Sequence, residues 1–432
     1  MGRIEVAHDF TVFCCGKNVL VYHSGSCETK ILKVSNSSTK CKAKEENSDN
    51  ANSVNSSTET QIMSVRISQD GQYLAVACET KVVTVWCTKT WTLLYTHSLV
   101  KRPMAIAITS DSATLLVADK SGDVYHLPLK GCKPDYDQAS LSEQKNDEEG
   151  NTKMEEKPLL GHLSMLLDLA ITEDSKYIIT CDRDEKIRIS HFPNSYNIQA
   201  FCLGHEEFVT QVDLLPKNKQ FIVSCSGDGT LRLWNYVKGE CVACMDTREH
   251  TAPLLHHYEK YIQQKIEESE EARRFLPDYP AVKSFTLYSD SSDEHLIAAL
   301  VDRIPAVFLY KIEGTKFKYI STKELDAEPR VVSWLLSREL IVLQEEEEQP
   351  VCVLEFVDNN LHRVAEHALE SLGKKQNHLF TVGHDGLNLD VLYKQRYDNV
   401  ADYKKKKEER LAMEQAVKDG LIPAVKKGRW SK

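Results

Sequence analysis

The pair in this chain that could suggest acid–base chemistry is His205 with Asp228. A neutral imidazole beside a carboxylate is the general-base arrangement of many hydrolases. This pair, however, sits inside the second of two stretches that nearly repeat each other. Leu160-Gly161-His162 and Leu203-Gly204-His205 open them, 43 residues apart. The second ends in Ser226-Gly227-Asp228-Gly229-Thr230-Leu231-Arg232-Leu233-Trp234. That period is one four-stranded propeller blade. In such a blade the histidine bonds the turn aspartate, a strand hydroxyl and the tryptophan indole N–H, which satisfies buried polar groups. His205, Asp228 and Trp234 fit that network, with Ser224 or Ser226 as the hydroxyl. His162, Thr180 and Asp184 fit it too, with Ser190 in place of the tryptophan. The reading is a structural network, not an acid–base pair.

Other candidates for chemistry are weaker. His250, His256 and His257 cluster, but no carboxylate or cysteine frame accompanies them, so a structural or surface role is favoured over metal binding. Gly227-Asp228-Gly229 is a strand-to-strand turn, unlike the strand-to-helix glycine loop that cradles a nucleotide or S-adenosylmethionine. Neither Gly-x-Ser-x-Gly nor His-Glu-x-x-His occurs. The thirteen cysteines show no metal-ligand spacing. Several of them, such as Cys78, Cys181 and Cys225, fall in strand-like runs as small apolar residues. A reduced cytosolic or nuclear setting follows. No run approaches the roughly 18 apolar residues of a membrane span, and the start Met1-Gly2-Arg3-Ile4-Glu5 has no apolar signal region.

The elements that must position these residues are strands. A chain of 432 residues is long enough for several domains, yet one closed propeller uses most of it. Runs at Phe10–Cys15 and Val19–His23 open the chain. Blade patterns follow at about 64–86, 105–127, 159–193 and 201–236, with degenerate ones at 282–312 and 331–356. Leu379–Gly383 and Leu389–Tyr393 are expected to complete a last strand pair. The sum is an all-β, seven-bladed WD-repeat β-propeller over residues 1–395, its N-terminal strand joining the last blade to remove exposed edges. Three insertions interrupt it. Residues about 35–60 are Ser-, Asn- and Lys-rich and read as a disordered loop, about 131–158 as a polar acidic insert, and about 251–276 as a helical insert. Residues 396–432 form a basic helical or disordered tail.

Charge picks out two surfaces. The turn Asp182-Arg183-Asp184-Glu185-Lys186-Ile187-Arg188 is unusually charged. Ile187 and Ile189 align with Leu231 and Leu233 as core, so Lys186 and Arg188 alternate away from them. One reading is a solvated turn with intramolecular pairing. The other is a rigid charged knob for a partner protein, in which arginine's planar fork holds a carboxylate. The second surface is the tail. Tyr403–Lys432 holds ten Lys/Arg against four Asp/Glu, leaving −16 on the rest of a chain whose net charge is −10. Lys404–Lys407 cover a helical turn and suit phosphate contacts that carry no sequence preference. A nuclear localisation signal and a plain solubilising tail are the alternatives.

Several runs together resemble one family closely: the non-catalytic WD-repeat subunit of the eukaryotic tRNA (guanine-N7-)-methyltransferase. They are Val117–Tyr125 with its Asp-Lys-Ser-Gly-Asp-Val core, Leu160-Gly161-His162-Leu163-Ser164-Met165-Leu166-Leu167-Asp168, the turn Asp182–Arg188, Phe201–His205, and Tyr397–Leu411. The likeness is strongest over Val117–Trp234 and in the tail.

The resemblance implies a scaffold that is not itself an enzyme and takes no cofactor. S-adenosylmethionine is then expected on a separate Rossmann-type catalytic subunit. The heterodimer forms N7-methylguanosine in the variable loop of certain tRNAs. The docking element maps to Arg183, Glu185, Lys186 and Arg188, and the tRNA-facing tail to Lys404, Lys405, Lys406, Lys407 and Arg410. A nuclear location, with a cytoplasmic pool as an option, accompanies this expectation. The rival reading is a substrate receptor of a ubiquitin ligase. Such receptors often carry Trp-Asp-x-Arg at a blade end, whereas here Trp234 is followed by Asn235 and Trp86 by Cys87.

Overall fold

Alternating apolar residues in runs of about six, separated by Asp-, Gly- and Asn-bearing turns, fold as antiparallel strands. In the computed structural model they form seven four-stranded sheets, at residues 3–33, 62–98, 103–161, 166–202, 209–246, 282–324 and 329–363. These are blades 1 to 7 of a β-propeller. The structure describes residues 3–34, 61–129, 145–146, 152–153, 157–269, 276–290, 294–364, 366–380, 388–394, 403–404, 406–408 and 410–412. The Ser-, Asn- and Lys-rich loop expected at 35–60 therefore lies outside the described residues, as does most of the polar insert.

Blade boundaries fall one strand later than the sequence repeat suggests. Leu160–Gly161 does not open blade 4. It is the short outer strand of blade 3, paired as Asp123↔Gly161 and Val124↔Leu160. The next repeat behaves alike: Ile198–Cys202 is the outer strand of blade 4. Each sequence repeat thus straddles two blades and staples them together.

Ring closure also differs from expectation. Arg3–Val6 pairs with Phe10–Cys15 as the first strand of blade 1, and blade 7 makes its own outer strand, Asn360–Arg363. Among the described residues no strand is exchanged, because each end blade already has four. The seam is held instead by packing of Ile4, Phe13 and Leu20 against Ile341, Leu343 and Val353. The expected final strand pair is absent at the described positions: Asn377–Phe380 is helical and Leu389–Leu392 is a 3-10 turn, while residues 381–387 lie outside the described residues. The helix Ala368–Lys375 braces the seam, burying Leu369 and Leu372 in the same cluster. It lies so close that a Cβ on Gly373 would meet the Val351 side chain at 2.8 Å.

A register shift recurs in the innermost strand of six blades. In blades 2 to 4 the residue skipped by the pairing is Met63, Met104 or Leu167, and all three join one buried cluster. Bulges re-aim side chains in this way. Leu389, Leu392 and Tyr393 from the C-terminal end of the chain complete that cluster.

Candidate functional site

The polar network of blade 5 forms around a fully buried tryptophan. Trp234 Nε1–H donates to Ser224 Oγ at 2.8 Å. Ser224 Oγ lies 2.7 Å from His205 Nε2, and His205 Nδ1 lies 2.9 Å from Asp228 Oδ2. The pattern fits a neutral ring with its proton on Nδ1, Ser224 donating to Nε2. Asp228 also accepts from the Glu206 and Thr230 N–H groups and from the Thr230 hydroxyl. Ser224, not Ser226, is therefore the hydroxyl. With all its partners supplied by the blade, this histidine has no free nitrogen for a substrate.

Burial lowers the His205 imidazole, and the Asp228 carboxylate opposes this only in part. Burial would raise Asp228, but the bonds from His205 and Thr230 outweigh it and hold the carboxyl far below the usual range. The unfolded chain therefore binds a proton at position 205 more readily than the native one. Stability should fall as pH drops below roughly 6.5, with a slope of up to about 1.4 kcal/mol per pH unit. The Asp228 contribution is held down to about pH 4 and is lost as pH falls further toward its native value. Urea unfolding at about pH 7.5 and 5.5 checks this: wild type should lose more stability than His205→Gln. Equal losses would show that the native ring takes up a proton as readily as the unfolded chain does.

Blade 4 departs from this pattern. His162 Nδ1 lies 2.9 Å from Asp182 Oδ2, not against Asp184, and its Nε2 lies 2.8 Å from Thr180 Oγ1. This corrects the assignment of Asp184 to the network. Cys181 pairs with Ile187 as Cys225 pairs with Leu231, so Asp184 does occupy the position of Asp228. Asp182, however, stands where blade 5 has Ser226. Its longer carboxylate both meets His162 and accepts from the N–H groups of Asp184 and Lys186. The Asp184 side chain is released to the surface.

The same substitution pattern accounts for Arg188. Ser190 stands where Trp234 stands in blade 5, and the guanidinium uses the space. Its Nε donates to Ser190 Oγ at 2.9 Å, and its terminal nitrogens donate to the carbonyls of Gly161 at 3.0 Å and Ser195 at 3.2 Å. Burial lowers its pKa. Arg188 is thus an internal strut with part of its surface open, whereas Lys186 is exposed, its Nζ 3.2 Å from the Asp184 carbonyl.

Arg183 and Glu185 reach a neighbour that the sequence pattern does not reveal. Arg183 Nε donates to the Leu392 carbonyl at 2.9 Å, and its Nη2 to that of Tyr393 at 3.4 Å. Glu185 pairs with Lys394, whose ammonium also lies 3.8 Å from Asp184. The bond to Glu185 is the main cause of a raised Lys394 pKa. The segment 388–394 therefore lies across the charged turn. Tyr393 packs edge-on against Phe208, ring centroids 4.8 Å apart, and its hydroxyl donates to the Gly227 carbonyl. A Cβ on Gly227 would sit 2.7 Å from the Phe208 ring, so that position needs glycine.

Lys404, the first of the tail lysines, comes ten positions after Lys394. Lys404, Lys406, Lys407 and Arg410 are helical and exposed, while Lys405 lies outside the described residues. Ten residues span at most about 35 Å, which bounds the distance from Lys394 to Lys404. Among the described residues no three His, Cys, Asp or Glu side chains are grouped to hold a metal. His250 stacks on Tyr319 at 4.0 Å, and His256 lies beside His257. No helix among the described residues is long and apolar enough to cross a membrane.

Comparison with known proteins agrees with this architecture. A family model described as the tRNA methyltransferase TRM82 WD40 domain matches residues 22–148 and 133–364. The tRNA (guanine-N(7)-)-methyltransferase non-catalytic subunit wdr4 of Danio rerio is 32% identical over 406 residues, covering 90% of this chain and 88% of that protein. The Homo sapiens protein of the same description is 30% identical over 352 residues, covering 80% and 76%. Among solved structures, U3-55K superposes with a TM-score of 0.54 at 15% identity, covering 82% of this chain and 98% of that one. The RRP9 WD40 repeats give a TM-score of 0.52 at 14% identity, covering 79% and 90%. These two show the propeller fold alone. Family match, relatives and blade geometry agree: the chain belongs to the family of non-catalytic WD-repeat subunits of tRNA (guanine-N7-)-methyltransferase.

Proposed function

We infer that this propeller is the non-catalytic scaffold of a tRNA (guanine-N7-)-methyltransferase. It partners an S-adenosylmethionine-dependent catalytic subunit and helps hold tRNA for N7-methylguanosine formation. The observation that carries this reading is similarity along most of the chain to relatives that bear that subunit's name. The ubiquitin-ligase reading is not favoured, since those matches span the same blades. The docking face we propose is the blade 4 turn, with Lys186 as its open cation and Arg188 as the strut that keeps it rigid. Arg183 and Glu185 contribute by holding the segment 388–394 beside it.

The tail supplies the RNA-binding charge in this reading. Lys404–Lys407 and Arg410 stand next to an acidic body that would repel RNA by itself. Replacing the four lysines with alanine should leave catalytic-subunit binding intact and weaken tRNA binding alike across tRNAs. The salt slope should fall by about 0.7–0.9 for each phosphate that is no longer neutralised. Fluorescence anisotropy of labelled tRNA at several salt concentrations measures both effects. An unchanged slope, with the variant merely missing from nuclei, would make the tail a targeting signal only.

A further inference from the structure

We propose that the helical insert is a positioning element for RNA: Tyr261 on the helix Leu255–Glu268 anchors Asp390 and thereby fixes the point from which the basic tail leaves the propeller. This rests on the reading that the tail lysines hold tRNA.

The helix is built to reach that point. It follows the outer strand of blade 5 and is preceded by the short helix Arg248–Thr251. Arg248 ties its root to the ring, donating to the Asp228 carbonyl at 3.1 Å and lying over the Tyr279 ring at 4.8 Å. Tyr258 is buried and donates to the Pro277 carbonyl at 3.1 Å, which fixes the helix's inner face on blades 5 and 6. One turn on, the Tyr261 hydroxyl donates to Asp390 Oδ2. The Arg303 guanidinium of blade 6 lies 4.2 Å over the Tyr261 ring. Burial and the Asp390 bond raise the Tyr261 phenol, so it remains a donor at neutral pH.

Asp390 belongs to the segment that the charged turn grips from the other side. Asn388 caps it by accepting from the Asp390 N–H at 3.1 Å, and Leu389 and Leu392 are buried. Arg183 of blade 4 bonds the carbonyls of Leu392 and Tyr393, Glu185 pairs with Lys394, and Phe208 and Gly227 of blade 5 hold the Tyr393 side chain. The insert reaches the segment at Asp390 through Tyr261, whose ring carries the Arg303 guanidinium of blade 6. Blades 4 and 5 and the insert thus bond these seven residues, whose Leu389, Leu392 and Tyr393 also pack in the cluster that holds Met63 of blade 2 and Met104 of blade 3. Fixing the start of a charged tail raises its effective concentration at a bound RNA while the set of phosphate-binding groups stays the same.

That distinction makes the proposal testable in the complex with the catalytic subunit. In Tyr261→Phe and Asp390→Ala, amide exchange at 388–394 should be about tenfold faster while the rest of the propeller keeps its protection. The KM for tRNA should rise about three- to tenfold, with kcat at saturating tRNA unchanged in the fully assembled complex. The salt slope should match wild type, because every phosphate-binding group is still available. Unchanged exchange in both variants would overturn the proposal. So would faster exchange with an unchanged KM, provided that the four-lysine variant does weaken tRNA binding. If the four-lysine variant binds tRNA like wild type, the RNA reading itself fails and takes this proposal with it.

Discussion

Arg188→Ala is expected to lower the stability of the propeller by about 2–3 kcal/mol, while Lys186→Glu changes it by less than about 0.5 kcal/mol. The two cations stand two positions apart on one charged turn, and their surroundings differ. Arg188 bonds Ser190, Gly161 and Ser195, joining the outer strand of blade 3 to two parts of blade 4. Removing it leaves two carbonyls and a buried hydroxyl without their donor. Arg188→Lys should recover only part of the loss, since one ammonium cannot span three acceptors held by a planar fork. Lys186 makes one bond to its own turn and is exposed. Its reversal to glutamate should instead weaken binding to the catalytic subunit by well over tenfold, an electrostatic loss of about 2 kcal/mol or more. Urea unfolding and calorimetric titration of each variant separate the two roles. If Lys186→Glu binds normally, the turn is not the docking face. If Arg188→Ala is as stable as wild type, the three bonds do not hold in solution.

This contrast also marks where sequence reasoning stops. The period of the Leu-Gly-His runs and the alternation Leu231, Leu233 against Arg232 are local signals, and they make the propeller legible. The network of blade 5 is legible for the same reason, because its members occupy fixed offsets in one repeat. Blade 4 is not, because alignment carries Asp184 to the place of Asp228 but says nothing of Asp182, whose extra length takes the bond. Arg188 aligns with Arg232, and only the missing tryptophan hints at the space it fills. The segment 388–394 is harder still. Its buried residues are three, Leu389, Leu392 and Tyr393, and their spacing suits a strand as well as a turn. Its partners Arg183 and Glu185 lie 209 positions away. No local period encodes a pairing at that range. Closure of the ring fails to read out for a related reason. Whether an N-terminal strand pairs with blade 1 or blade 7 depends on which edge is vacant, and Asn360–Arg363 fills one of them.

As a non-catalytic subunit, this chain carries no methyl-transfer chemistry and supplies what its catalytic partner lacks. The most direct test has three arms with one tRNA and S-adenosylmethionine: this chain alone, the catalytic subunit alone, and both together. N7-methylguanosine is counted by mass spectrometry of the digested tRNA. No product above the buffer control is expected from this chain alone. At least about tenfold more is expected from the pair than from the catalytic subunit alone, the equivalent of about 1.4 kcal/mol of transition-state stabilisation. Product from this chain alone, or a pair no more active than the catalytic subunit by itself, would contradict the claim.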